Sequence, residues 1–462
     1  MSEKKHLPVF SEAEQFVSSL DPDGHRRFVY PADVKGRFRN LRLAIFAALV
    51  GIWIALPLVH LNGKPLVLLD VQARQFHLFG GTFNAQDIWL VFFLLTGFGF
   101  LLALATSLLG RVWCGYACPQ TVFLEGMFRP IERLIEGNRE QRMRLDKAPW
   151  TASKLAKKVA KHAAFLLAAF FVAHVFLSFF VPLPMVAQMV MGSPAAHPEA
   201  FAWAAAVTAI LYGNFAWARE QVCLIVCPYG RMQGALVDDD SLVIGYDKAR
   251  GEPRGKLKDE GRGACIDCKR CVVVCPTGID IRNGLQLDCI GCSACVDACD
   301  DVMDKIGQPR GLVRYDSQRS LAGEGRRFWR PRLALYAVLG VLGLVAMTLA
   351  FSSRISFEAN LLRNPGPPYV VEGDTVRNVF SVHLVNKDDR PKRFELVPSG
   401  PDGFVFSPPS GTVVELAGGA SQKIPIAITA PKGKGDARFV VLVKNLDGTE
   451  QRAAQASFLG PR

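Results

Sequence analysis

Five stretches of the chain are apolar for long enough to cross a bilayer, which takes about 20 residues. They lie at about 41–59, 88–109, 162–181, 200–222 and 333–351, the fourth diluted by Asn214 and several alanines. Beyond about residue 352 the pattern changes. FSVHLVNK, KRFELVP, TVVELAG, QKIPIAITAP and ARFVVLVKN alternate apolar with polar residues, and Asn, Asp, Gly and Pro separate them. A period of two reads as strands with one face buried. About seven such strands predict an Ig-like sandwich. The Cys…Trp…Cys signature of antibody domains is missing, so only the architecture is expected. Earlier, SLVIGY predicts a short strand with a turn after it at 251–255.

Charge turns this pattern into a topology. The net charge is +12, but its placement argues against nucleic acid as a partner. Residues 26–42, leading into the first span, hold Arg26, Arg27, Lys35, Arg37, Arg39 and Arg42, and eleven Lys/Arg lie between Arg111 and Lys161. The segment between spans one and two has only Lys64 and Arg74, and that between spans three and four has none. Positive residues concentrate on the cytoplasmic side. The expected arrangement therefore puts the N-terminus, residues 110–161 and residues 223–331 in the cytoplasm, and the C-terminal domain outside. The first forty residues are polar, so the first span is expected to be a retained anchor and not a secretion signal. Membrane lipid is the expected surroundings, with anionic lipid attracted to the basic segments.

Cysteine placement then supplies the chemistry. All twelve cysteines fall on the expected cytoplasmic side, and the outer domain has none. A disulfide framework would show the reverse. Eight of them repeat one spacing, C-x2-C-x2-C-x3-C, as Cys265, Cys268, Cys271, Cys275 and Cys289, Cys292, Cys295, Cys299. This is the bacterial ferredoxin pattern for two [4Fe–4S] clusters, in which the fourth cysteine of each run crosses to the other cluster. One cluster is assigned Cys265, Cys268, Cys271 and Cys299, the other Cys289, Cys292, Cys295 and Cys275. Zinc fits less well, because zinc sites favour two separated pairs of ligands. Asp300 replaces the proline that follows the first run.

The other four form a matched set. WCGYACP holds Cys114 and Cys118, and VCLIVCP holds Cys223 and Cys227. Each C-x3-C-P ends an apolar span at the same face. On a helix, i and i+4 share a side, so each pair is expected to point together, with the proline bending or ending its helix. Soft thiolates select Cu(I), zinc or iron–sulfur clusters. His174 within the third span is a candidate for a haem, quinone or copper role, and Met185, Met189, Met191 and His197 are candidate copper ligands. No glycine-rich phosphate loop is present, so electrons are expected from a partner or a quinol.

The segments RVWCGYACPQT, REQVCLIVCPYGRMQGALVD, YDKARGEPRG and CPTGIDIRNGLQLDCIGCSACVDACDDVM resemble the FixG/CcoG family of membrane ferredoxin-like accessory proteins for haem–copper cytochrome c oxidase. The resemblance implies a bacterial inner-membrane protein that reduces Cu(II) to Cu(I) for the oxidase, with Cys114, Cys118, Cys223 and Cys227 as the reducing site. It implies oxidase subunits or copper chaperones as partners, and leaves the electron donor open. Membrane electron-transfer subunits of nitrate reductases share the C-x3-C-P pairs, which keeps quinol oxidation as an alternative, beside a non-catalytic assembly scaffold. The expected fold is multi-domain. It comprises a polar segment at 1–40, helices at 41–227, a two-cluster ferredoxin-like domain at 228–332, a fifth helix at 333–351 and a periplasmic all-β Ig-like domain at 352–462.

Overall fold

The computed structural model describes residues 28–461, apart from 62, 72–74, 85–86, 354, 389 and 434–435. Arg26, Arg27 and Arg74, three of the charges used above, lie outside the described residues. Among the described residues five helices are long and apolar enough to cross a membrane: Arg37–Leu58, Trp89–Leu109, Ala152–Leu177, Pro198–Ala218 and Pro331–Ser352.

The third differs from expectation. It starts at Ala152 and not at 162, and Thr151 caps it by accepting from the Lys154 amide. Its added turns are basic, which hid them from hydropathy. They are helical because their lysines have partners. Lys154 Nζ donates to the carbonyls of Asp146 and Ala148, and Lys158 and Lys161 each lie 2.8 Å from Glu136.

By its contacts the chain divides into two compact units, Met1–His60 with Phe93–Val345, and Leu61–Phe92 with Ala346–Arg462. In the first unit, strand Val243–Tyr246 pairs antiparallel with Val313–Asp316, with Ile244 opposite Tyr315. SLVIGY is thus a strand, and the pair ties together the two ends of the eight-cysteine segment. Ile244, Tyr246, Ile279, Ile281, Val296, Met303 and Leu312 form its core together with Cys265, Cys271 and Cys289. Burying the cysteines in that core fixes their loops on a rigid base.

The second unit contains a sandwich of two antiparallel sheets. One runs Val405–Ser407, Ser421–Pro431, Thr375–Asn386, Phe357–Arg363, with Val370–Glu372 also on Thr375–Asn386. The other runs Thr412–Leu416, Lys392–Ser399, Ala437–Asn445, Gln451–Phe458. Phe357, Phe380, Phe394, Phe439 and Phe458 fill the space between. All five alternating runs are strands. The described strands outnumber the expected seven because Val370–Glu372 and Val405–Ser407 are too short to show alternation. The same unit holds a three-stranded sheet, Val67–Asp70, Gln75–Leu78 and Gly81–Asn84, which the sequence pattern did not reveal.

Candidate metal centres

The two cysteine loops share one backbone design. In Cys265–Cys271 the left-handed residues are Asp267 and Lys269, at φ 49° and 55°; in Cys289–Cys295 they are Gly291 and Ser293, at 67° and 61°. They occupy equivalent places in each loop. Only glycine adopts this region freely, and other residues lose about 1–2 kcal/mol there. Three of these four carry side chains, so the surrounding structure imposes the geometry. Its result is to turn peptide N–H groups inward, as an anion-binding nest does. The amides of Gly291, Ala294 and Val272 donate to the sulfurs of Cys289, Cys292 and Cys271.

The loops enclose two cavities. Cys265, Cys268, Cys271 and Cys299 line one. Cys275, Cys289, Cys292 and Cys295 line the other, and Cys271 lines both. Cys299 reaches the first loop because it rides on helix Ala294–Lys305, which leaves the second loop directly. Burial pushes the thiols of Cys271, Cys289 and Cys299 up to about 12 and that of Cys292 up to about 11. Thiolates here therefore need a cationic centre. Among the described residues no three His, Cys, Asp or Glu side chains converge closely enough to share one ion. Four sulfurs around a void, with amides aimed at them, fit a cluster of several atoms better than zinc, which holds its thiolates at about 2.3 Å.

The C-x3-C-P motifs depart from the helical expectation. Cys114 lies in the short helix Val112–Tyr116, but Cys118 is extended, at ψ 128°, before helix Pro119–Phe123. Cys223 lies in the π turn Val222–Val226, and Cys227 is extended, at ψ 114°, before helix Pro228–Leu236. Each proline therefore opens a new helix, a position where its missing N–H costs nothing. The i,i+4 argument does not apply across these breaks.

The two motifs nevertheless meet. Burial pushes the Cys223 thiol up to about 12, and the nearby Cys118, Cys114 and Cys227 push the same way. Cys114 is pushed up to about 11 by burial, against Arg111. Gln233, fully enclosed, places its side-chain amide 3.7 Å from Cys114 Sγ. Arg111 joins three segments: it donates to the carbonyls of Leu287 and Cys289 (2.8 Å) and of Gly230 (3.3 Å).

This four-cysteine set rests on the second cluster loop. A Cβ on Gly115 would lie 2.6 Å from the Gly291 carbonyl oxygen, and one on Gly291 would lie 2.9 Å from that of Arg111. Cys114 packs against the buried group of Val274, Ile290, Cys292, Ala294 and Ala298. The hydroxyls of Tyr116 and Ser293 are 3.0 Å apart, and Tyr315 donates to the Gly291 carbonyl at 2.6 Å. Arg111, Gly115, Gly230 and Gln233 were not singled out from sequence. They stand inside or beside the motifs, but nothing in their spacing says which backbone they touch.

His174, Met189 and His197, from separate candidate groups, line one cavity of about 140 Å³. His174 Nδ1 bonds the Phe170 carbonyl at 2.8 Å. Met185 and Met191 are exposed and outside that lining.

Comparison with known proteins gives the following. A family profile described as a 4Fe–4S dicluster domain matches residues 218–318, and one described as a 4Fe–4S binding domain matches 90–138. One described as the Ig-like fold at the C-terminus of FixG matches 347–461. Protein RdxA of Cereibacter sphaeroides is 36% identical over 427 residues, covering 88% of this chain and 90% of that protein. Nitrogen fixation protein FixG of Rhizobium meliloti is 34% identical over 494 residues, covering 94% and 93%. Protein RdxB of Cereibacter sphaeroides is 36% identical over 394 residues, covering 80% and 82%.

Proposed function

Because this chain belongs to the FixG family and is a multi-pass membrane iron–sulfur electron-transfer protein, we propose that it reduces Cu(II) to Cu(I) for the copper site of a haem–copper oxidase. Cys265, Cys268, Cys271 and Cys299 would hold one [4Fe–4S] cluster, and Cys275, Cys289, Cys292 and Cys295 the other. When bound, such clusters supply one-electron transfer. Cys114, Cys118, Cys223 and Cys227 receive the copper. Their burial disfavours bare thiolates, so a soft cation that neutralises them is held strongly, and thiolates favour Cu(I) over Cu(II). Each turnover adds one electron to one copper ion, supplied by an external reductant. A pair of thiolates suffices for Cu(I), which suits a site where no three converge on one point.

The observation that carries this reading is the seat of Gly115 on Gly291, with Cys114 and Cys292 in one buried group. It leaves almost no insulating protein between the second cysteine loop and the paired motifs. The assay is anaerobic. The detergent-solubilised protein is reduced, freed of reductant by gel filtration, mixed with Cu(II) and read with a Cu(I)-specific chelator. Single Cys→Ser variants at 114, 118, 223 and 227 are expected to lose about tenfold or more of the rate while keeping their iron and sulfide. If the parent protein makes no Cu(I), but quinol reduces its iron, the copper reading fails and a quinol-linked carrier replaces it.

A further inference from the structure

A cavity of about 370 Å³ opens beside the cysteine loops and belongs to neither. Residues 31–34, the start of the first span and helix Arg129–Glu136 form its walls, together with Val274 and Pro276, which flank Cys275, and Ala294, which follows the second cysteine loop's Ser293. Five arginines line it, Arg39, Arg42, Arg129, Arg133 and Arg142, against two carboxylates, Asp33 and Glu125.

Three of the five are buried: Arg42 is 3% exposed, Arg142 5% and Arg129 8%. Their known partners leave work undone. Arg129 bonds Glu125, Glu220 and the Pro276 carbonyl, yet its Nε has no partner. Arg142 bonds Glu132 and the Pro31 carbonyl, each at 3.0 Å, and its Nε has none. Arg42 spends Nε on the Gly115 carbonyl, has no carboxylate partner among the described residues, and leaves Nη2 unpaired. Buried polar groups are almost always hydrogen-bonded. Arg129, Arg133 and Arg142 are paired with Glu125, Glu220, Asp33 and Glu132, whereas Arg39 and Arg42 have no carboxylate partner among the described residues, and that surplus positive charge on one roomy cavity points to an anion from outside the chain.

We propose that this cavity binds a phosphate-class anion, with Arg42 as its principal ligand. Guanidinium groups match tetrahedral oxyanions through parallel N–H bonds, and several around one cavity hold the anion from more than one side. Arg42 stands at the start of a membrane span, where a lipid headgroup phosphate and a soluble phosphate are both within reach. The two sources share the same chemistry. Binding here is independent of the copper reading and is tested without copper.

The full-length protein with its iron is held in a phosphate-free maltoside detergent and titrated calorimetrically with inorganic phosphate. In parallel, it is reconstituted with mixed phosphatidylglycerol and phosphatidylcholine, and retained lipid is read by native mass spectrometry. Phosphate binding identifies a soluble ligand, and selective phosphatidylglycerol retention without phosphate binding identifies a headgroup. Either supports the site, provided Arg42→Gln weakens it about tenfold or more and Arg42→Lys weakens it less. Should Arg42→Gln lose its iron, the rim variant Arg39→Gln/Arg133→Gln carries the same comparison. Absence of both phosphate binding and selective lipid retention overturns the proposal. So does binding that the variants leave unchanged at normal iron content.

Discussion

Two glycines set the distance between the cysteine centres. Gly115 belongs to WCGYACP and Gly291 to CIGCSAC, and each sits where a Cβ would strike the other segment's backbone. A backbone oxygen cannot move aside as a flexible side chain can. Gly115→Val is therefore expected to push the paired motifs off the second cysteine loop. Electron tunnelling falls exponentially with distance, so Cu(I) formation should drop by about tenfold or more with iron content and its reduced EPR signal retained. An unchanged rate would mean that electrons reach copper by another path. Gly291→Ala meets the same oxygen problem and a φ of +67° as well. It should cost about 1–2 kcal/mol from the backbone alone, visible as faster iron release on warming. The eight loop cysteines were legible because their spacing is that of a two-cluster loop, whereas the helical spacing read for the C-x3-C-P pairs failed because each proline starts a new helix. The glycines were not legible, since a glycine needed for close approach looks in sequence like any other.

At the scale of elements, the basic segment before the third span does more than set topology. Glu132, 2% exposed, lies 2.8 Å from Arg219, 3.0 Å from Arg142 and 3.6 Å from Lys161. One carboxylate thus joins helix Arg129–Glu136 to helix Arg139–Lys147, to the third span and to the residue that ends the fourth. Counting charges found Arg142 and Lys161 but neither Arg219 nor their shared buried partner, because burial is set by packing. Glu132→Gln leaves three cations facing a neutral amide, and breaking a buried pair costs about 3–5 kcal/mol. The expected result is a clearly lower melting temperature in detergent; a shift within error would show that the cluster is solvated. The pH dependence has a definite sign. Burial would raise the Glu132 carboxyl, but Arg219, Lys161 and Arg142 outweigh it and hold it near 2 against an ordinary 4.5. Its contribution is complete above pH 4.5 and is lost as pH falls toward 2. Acid unfolding of the parent should therefore steepen across that window, and that of the Gln variant should not.

For the whole molecule, the alternation of apolar and polar residues carried most of the architecture. It separated five spans from a sandwich because their periods differ, but it missed Val67–Asp70, Gln75–Leu78 and Gly81–Asn84, whose short runs hold too few residues to display a period. It also carries a consequence for orientation. Five spans among the described residues put the segment just before Arg37 and the sandwich on opposite faces. The eleven Lys/Arg between Arg111 and Lys161, against none between spans three and four, predict that the cysteine side faces the cytoplasm. Part of that basic excess is engaged in buried ion pairs, as at Lys158, Lys161 and Arg142. Paired or not, these residues must cross the bilayer if the topology inverts, so their bias persists during insertion. The sandwich has no native cysteine, so one introduced on its surface at Ser399 can be labelled selectively. Intact spheroplasts should label Ser399→Cys with a membrane-impermeant maleimide. Labelling only after lysis would put the sandwich inside the cell and the cysteine loops outside, and would overturn this orientation.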